Sequence, residues 1–261
     1  MGPNFILKLF RQVFPKPPDT CLVVSPVTGQ EVSFYAESQV EAYRTIQFGG
    51  ERELVELILS EVKDDDVVWD IGSNIGLVSI LVAVNFPSTK VYAFEPDPQI
   101  ARRVNENAEL NRISNVSVME CALAEKPSKS ILYTDGVHGF SPSLKPHEYA
   151  DSPQQTCDIV VESIDNLVQV GRIPIANVVK IDVEGAELLV LIGMKRTLTL
   201  RNAPRILIIE FHSKFIGEMG GSIDDCKQIL VESGYCFQKS MSRHNKASDQ
   251  HESHEIWSKK Q

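Results

Sequence analysis

The chain is poor in cysteine, in aromatic residues and in positive charge, and each shortage excludes something. Only 5 of its 261 residues are cysteine and 7% are aromatic. Cys21, Cys121, Cys157, Cys226 and Cys236 are odd in number, irregularly spaced and form no CxxC pair. That pattern excludes a disulfide scaffold and a structural zinc site, and a reducing cytoplasmic setting is expected. Lys and Arg total 26 against 35 Asp and Glu, a formal charge of −9. A basic grip on nucleic acid across the whole surface is therefore excluded. No apolar run reaches the roughly 18 residues of a membrane-crossing helix. The first 18 residues carry Lys8, Arg11 and Lys16, no acid, and the short apolar stretch Phe5–Phe10. Charges interrupt that stretch and no small-residue cleavage site follows, so it is not a signal peptide. It reads as an arm packed on its own domain or a partner, with peripheral contact to an anionic membrane as the other option.

What is present is a strand–helix alternation with 43% hydrophobic residues, enough for one large core. Residues 23–36, punctuated by Pro26 and Gly29, read as a small hairpin. Gly49-Gly50 opens a helix over 51–62 with Leu54, Leu57 and Ile58 at core spacing. The run Asp64-Asp65-Asp66 reads as a solvated turn. Apolar strands are expected at 67–69, 90–95, 116–118, 178–181 and 205–210, with further strands at 131–133 and 159–161. Helices are expected at 75–85, from Pro98, after Gly185, and from Ser222 to about Ser233. Tyr235–Phe237 and Glu255–Trp257 form a final antiparallel pair. Strands this apolar suit burial on both faces, so the fold class is α/β, with a mostly parallel sheet and helices on both faces. Residues 1–47 form an arm and hairpin, and 48–261 the main domain. Residues 138–155 are the longest loop. Nothing in the sequence marks an oligomeric state.

The sharpest motif is Asp70-Ile71-Gly72-Ser73-Asn74-Ile75-Gly76, after an apolar strand and before a helix. Gly72 and Gly76 let a ligand approach the backbone at the helix amino-terminus. Asp70 would repel a dinucleotide's pyrophosphate, whereas a ligand with an ammonium and a sulfonium would welcome it. S-adenosylmethionine is such a ligand. Glu95, in Phe94-Glu95-Pro96-Asp97, ends the next strand, where an acid accepts hydrogen bonds from ribose hydroxyls. NAD enzymes place an acid similarly, so an NAD-dependent oxidoreductase is a rival reading. A non-catalytic binding module with the same fold is another.

Two further clusters close later strands. Strand alternation in Lys180-Ile181-Asp182-Val183-Glu184-Gly185-Ala186-Glu187 puts Lys180 and Asp182 on one face, and Glu184 and Glu187 share a side of the following helix. In Glu210-Phe211-His212 the acid and the imidazole again share a face. His138 reads as a loop histidine. His251-Glu252-Ser253-His254 lacks the HExxH zinc spacing and reads as a solvated hairpin. No ligand spacing is diagnostic of a metal, and no metal ligand is assigned, although Asp182, Glu184 and His212 offer oxygens and an imidazole that a hard divalent cation accepts.

From Phe48 to His212 the chain resembles the FkbM family of S-adenosylmethionine-dependent, Rossmann-like methyltransferases. The pieces are residues 70–76, Phe94-Glu95-Pro96, Asn107, Cys121-Ala122-Leu123, Ser163-Ile164-Asp165 and Lys180-Ile-Asp-Val-Glu-Gly185. The family often has Ala where Ser73 stands, and its Gly/Ser-rich stretch is here Gly139-Phe140-Ser141-Pro142-Ser143. The resemblance implies O-methylation of a hydroxyl on a sugar, glycolipid or secondary metabolite, so the partner is a small-molecule or glycan acceptor. It also implies that Glu95 binds the ribose, that Ala122 lies near the adenine, and that Gly72, Asn74 and Gly76 surround the methionine part with Asp70 near its amino group. In-line transfer to a hydroxyl benefits from a base, for which Asp182, Glu184 and His212 are the candidates.

Overall fold

The computed structural model describes residues 19–48, 52–134, 155–243 and 252–260. The expected N-terminal arm, the Gly49-Gly50 helix start, His138, the 139–143 stretch and His251 lie outside them. The described chain opens with β1 (Thr20–Val24) antiparallel to β2 (Glu31–Tyr35), followed by α1 (Gln39–Ile46) and α2 (Arg52–Glu61). Then come β3 (Val67–Ile71), α3 (Leu77–Asn85), β4 (Lys90–Phe94), α4 (Pro98–Leu110) and β5 (Val116–Met119). A small sheet of β6 (Ala122–Leu123), β7 (Ser128–Thr134) and β8 (Gln155–Glu162) is ordered β6-β8-β7. The remainder is α5 (Ile164–Gln169), β9 (Val178–Ile181), α6 (Glu187–Gly193), α7 (Lys195–Leu198), β10 (Ile206–Phe211), α8 (Ser213–Glu218), α9 (Ile223–Glu232), β11 (Tyr235–Arg243) and β12 (Glu252–Lys259).

The main sheet has seven strands in the order β11-β12-β10-β9-β3-β4-β5. The five from β10 to β5 are parallel, and β12 and β11 close the other edge antiparallel. The alternation expected of a doubly covered sheet is literal. Trp69, Ile71, Val179, Ile181, Leu207 and Ile209 enter one core with α5, α6, α8 and α9. Val68, Val178 and Ile208, one residue out of phase, enter the other with α2, α3 and the hairpin's Val23, Val32 and Phe34. The hairpin thus shares a core with the main domain. The chain winds from β3 outward through β4 to β5, then returns to place β9 on β3's other side. The crevice at the carboxyl ends of β3 and β9 is the switch point where such sheets bind ligands. No helix among the described residues is long and apolar enough to cross a membrane.

Several expectations are corrected. α1 went unread, although Ser38-x-x-Glu41 is its signal: Ser38 Oγ accepts from Glu41 N–H at 3.1 Å and Glu41 Oε2 accepts from Ser38 N–H at 3.1 Å. α3 begins at Leu77 rather than Ile75, because Asn74 and Gly76 both have positive φ, 50° and 82°, which a helix does not accommodate. Asp66 is not solvated: it is 6% exposed and accepts from Lys63 N–H at 2.8 Å and from Arg205 Nη1 at 2.8 Å.

Arg103 of α4 ties the N-terminal elements down. Its guanidinium meets Glu41 at 3.2 Å, Glu37 at 2.7 Å and Glu106 at 3.0 Å, and both Arg103 and Glu41 are buried. Arg103→Ala strands the Glu41 carboxylate without its cation, and a stranded buried charge costs about 3 kcal/mol. Urea unfolding of this variant is expected to show that loss with an unchanged slope. A change under about 0.5 kcal/mol, the level of an ordinary surface substitution, would show that the pair carries no weight.

Candidate functional site

The switch-point crevice is a partly enclosed cleft in which a few polar groups converge on an apolar wall, the character of a small-molecule site. Its floor is the loop between β3 and α3. Gly72 N–H and Ser73 N–H both donate to Phe94 O at 3.0 Å, which fastens the loop to β4. Gly72 has φ +77°, and a Cβ there would collide with the Asp182 carbonyl, so the position is closed to side chains. Asn74 N–H donates to Glu95 Oε2 at 2.9 Å, and Asp97 N–H donates to Glu95 Oε1 at 3.0 Å. Two backbone donors thus cradle the Glu95 carboxylate, and each oxygen keeps a lone pair for a ligand. Burial nevertheless pushes the Glu95 carboxyl up to about 7, and the two N–H bonds only partly oppose it.

The cleft's apolar slot is formed by Phe94, Ala122, Leu123 and Leu132 with Cys121. Burial pushes the Cys121 thiol up to about 12, so it is no nucleophile at neutral pH. Asp182, Glu184 and, from α1, Arg44 line the same cleft. Of the residues singled out by sequence, Gly72, Asn74, Glu95, Ala122, Asp182 and Glu184 therefore line one space.

Asp70, Gly76 and His212 do not line the cleft, and each has a reason. Asp70 is fully buried behind the loop, where Oδ2 accepts from Ser79 N–H at 3.1 Å and from Ser79 Oγ at 2.6 Å. Its Oδ1 faces Lys180 Nζ at 3.4 Å. An expected direct contact between Asp70 and a ligand ammonium is replaced by a relay: Lys180 Nζ donates to Gly72 O at 2.7 Å and meets Asp182 Oδ2 at 3.2 Å. Gly76 caps α3 with its back to Val104.

His212 lies beneath Asp182 and Glu184. Its Nδ1 is 2.7 Å from Glu187 Oε1, and its Nε2 is 3.5 Å from Glu184 Oε2, 3.9 Å from Glu210 Oε1 and 4.0 Å from Asp182 Oδ1. Burial disfavours its charge, but Glu184, Glu187 and Asp182 outweigh that and hold the imidazole's pKa well above its ordinary value. Burial likewise resists charge on Asp182, yet Lys180, then His212 and His254, hold its carboxyl below the usual carboxylate range.

Glu184 and Glu187 do not share a helix face as expected. α6 begins at Glu187, and Glu184 sits in the preceding turn at φ +49°. Gly185, at φ +99°, completes that turn against Phe215, and Glu187 Oε1 accepts from its N–H at 3.0 Å. His254 is no solvated hairpin residue: it is 4% exposed on β12, opposite Glu210, with Nε2 at 3.0 Å from Glu210 Oε2. The signal was available once β12 was paired with β10, since that register faces a histidine with an acid. Arg44 carried none, because its helix was unread.

Comparison with known proteins fits this geometry. Residues 70–237 match the family described as the methyltransferase FkbM domain. The hexuronic acid methyltransferase AglP of Haloferax volcanii is 33% identical over 193 residues, 73% of this chain and 74% of that protein. Methyltransferase 1 of Beauveria bassiana is 30% identical over 147 residues, 50% of this chain and 59% of that one. The 31-O-demethyl-FK506 methyltransferase FkbM of Streptomyces tacrolimicus is 31% identical over 86 residues, 31% of this chain and 33% of that protein. With the motif loop and the cradled acid inside the matched span, which runs from the end of β3 to the start of β11, this chain belongs to the FkbM methyltransferase family.

Proposed function

We propose that the protein is an S-adenosylmethionine-dependent O-methyltransferase acting on a hydroxyl of a sugar, glycolipid or secondary metabolite. The observation that carries the reading is the Glu95 carboxylate, cradled by Asn74 and Asp97 N–H beside the Gly72 loop at the sheet's switch point. Its remaining lone pairs suit two ribose hydroxyls. Ala122, Cys121 and Leu123 supply an apolar slot for an adenine, and Gly72 and Asn74 a close backbone surface for the methionine part. Asp70 and Gly76 support that loop from behind. The named substrate of the relative AglP, a hexuronic acid, supports a sugar acceptor. A cytoplasmic setting suits the five free thiols.

The reaction needs alignment above all. Held by Glu95 and the Gly72 loop, S-adenosylmethionine would supply an electrophilic methyl group, and the cleft wall would place an acceptor oxygen in line with it. The hydroxyl proton passes to a carboxylate at the cleft wall, Asp182 or Glu184. The acids around His212 hold its imidazole's pKa well above the ordinary value, which suits it to balancing the charge of Asp182 and Glu184 better than to accepting the hydroxyl proton.

Calorimetric titration with S-adenosylhomocysteine is expected to give a micromolar dissociation constant, about −8 kcal/mol, with no heat from NAD. Glu95→Ala should weaken binding at least thirtyfold, about 2 kcal/mol for bonds to a charged acceptor. Binding of NAD instead would make the protein an oxidoreductase, and binding of neither would make it a non-catalytic module.

The pH dependence has a definite sign. Ribose hydroxyls donate to the ionised form of Glu95, so the ligand pulls its pKa down from about 7 and expels a proton. Affinity should therefore rise from pH 6 to pH 8 in the wild type. Binding heats near pH 7 should depend on the buffer's ionisation enthalpy, and Glu95→Gln should abolish both effects. A flat profile in the wild type would remove Glu95 from the cofactor site.

Asp182→Asn should lower kcat about a hundredfold or more, the scale of a lost acid–base partner. Its affinity for S-adenosylhomocysteine should stay within about threefold, because Lys180 Nζ keeps its hydrogen bond to the Gly72 carbonyl. Wild-type turnover in this variant would exclude Asp182 from proton transfer.

A further inference from the structure

Below the cleft wall, one ligand atom each from Asp182, Glu210 and His212 lies within 4.8 Å of the others. His212 Nε2 is 4.0 Å from Asp182 Oδ1 and 3.9 Å from Glu210 Oε1. These separations exceed a hydrogen bond. Two ligands of one ion with bonds of roughly 2.1 Å stand at most roughly 4.2 Å apart, so these two separations lie near that limit and a small inward shift of the side chains would close the group on an ion.

The other polar atom of each residue is held from outside. Lys180 Nζ stands 3.2 Å from Asp182 Oδ2, His254 Nε2 stands 3.0 Å from Glu210 Oε2, and Glu187 Oε1 stands 2.7 Å from His212 Nδ1. Outer partners of this kind orient ligands in metal sites, the carboxylate on the far nitrogen of a histidine above all. The cluster is also dense in carboxylates. Four carboxylates stand within 4.0 Å of the one His212 ring. Among the described residues, the fully buried Glu187 Oε2 has no hydrogen-bond donor. Buried carboxylates at this density call for counter-charge, to which a bound cation would add beside Lys180 and His212.

We infer that Asp182, Glu210 and His212 bind a divalent transition-metal cation. One imidazole with two carboxylates suits Mn2+, Zn2+ or Fe2+ better than Mg2+ or Ca2+, which prefer oxygen alone. Asp182 is 23% exposed to the cleft, so the ion has an entry path and an open side. That open side is where the acceptor hydroxyl of the proposed methyl transfer would bind, and a cation there lowers the hydroxyl's pKa. The role rests on the methyltransferase reading; the site itself does not. A proton on His212 Nε2 and the cation exclude one another.

The test is titration of Mn2+ into the chelator-stripped full chain, without cofactor or acceptor, with free Mn2+ followed by electron paramagnetic resonance. One saturable site per chain is expected. Glu210→Gln and His212→Gln should each weaken it at least tenfold, while Glu218→Gln, an exposed carboxylate on α8, should leave it unchanged. S-adenosylhomocysteine binding by each variant reports its folding. No saturable Mn2+ site on wild-type protein that binds S-adenosylhomocysteine would overturn the inference and leave protons as the counter-charge. Undiminished Mn2+ binding in both variants would overturn it too. If a variant fails to fold, the wild-type stoichiometry decides. Mn2+ binding without S-adenosylhomocysteine binding would instead defeat the cofactor reading and leave the cation site standing.

Discussion

The ammonium of Lys180 holds the two halves of the sheet together at the place where they diverge. It is 6% exposed, and it touches Asp70 of β3, the Gly72 carbonyl and Asp182 beyond β9. Taking an ammonium and two carboxylates out of water costs several kcal/mol per ion, which only close and multiple contacts offset. The arrangement also fixes register. Asp70 and Lys180 are direct partners across β3 and β9. A slip of one residue would turn Lys180 into the opposite core, among Trp69, Ile71 and Leu207. Strand pairing this apolar has little else to choose one register over its neighbour.

From that ammonium the order spreads along backbone hydrogen bonds. Lys180 fixes the Gly72 carbonyl, Gly72 and Ser73 bind Phe94 O, and Asn74 binds Glu95. Asn107 supports the same loop from the far side: its Nδ2 donates to Ile75 O at 2.9 Å, and its Oδ1 accepts from Tyr35 N–H at 2.9 Å. The N-terminal hairpin is thus a buttress for the loop. A loop held on three sides presents its ligand surface without an ordering cost at binding.

The sheet and the cleft were largely legible because their signals are local. Unbroken aliphatic strands gave the doubly covered sheet, and the 70–76 motif with Glu95 gave the crevice. Expectations failed where long-range pairing decides a residue's surroundings. Asp66 looked solvated in an acidic run, but Arg205, 139 positions away, buries it. His254 looked solvated until β12 laid it against Glu210. Asp70 was read as facing the ligand because the motif fixes its strand position, while Ser79 and Lys180, which claim its oxygens, stand outside the motif. Glu184 was placed on a helix that begins three residues later, since a positive φ at a non-glycine residue has no sequence signal.

The concentration of acids at the carboxyl ends of β4, β9 and β10 bears on what this site can contribute. On the proposed reading, a sulfonium enters a region where Glu95, Asp182 and Glu184 line the cleft and Glu187 and Glu210 lie beneath. Their field favours the charged cofactor over its neutral product. Stabilising a reactant whose charge disappears in the reaction does not lower the barrier, and it deepens the ground state. Lys180, set among these acids with His212 beside it, offsets part of that field. Rate then comes from aligning acceptor oxygen, methyl carbon and sulfur. That explains why so much of the buried polar structure serves to fix the positions of Gly72, Glu95 and Asp182.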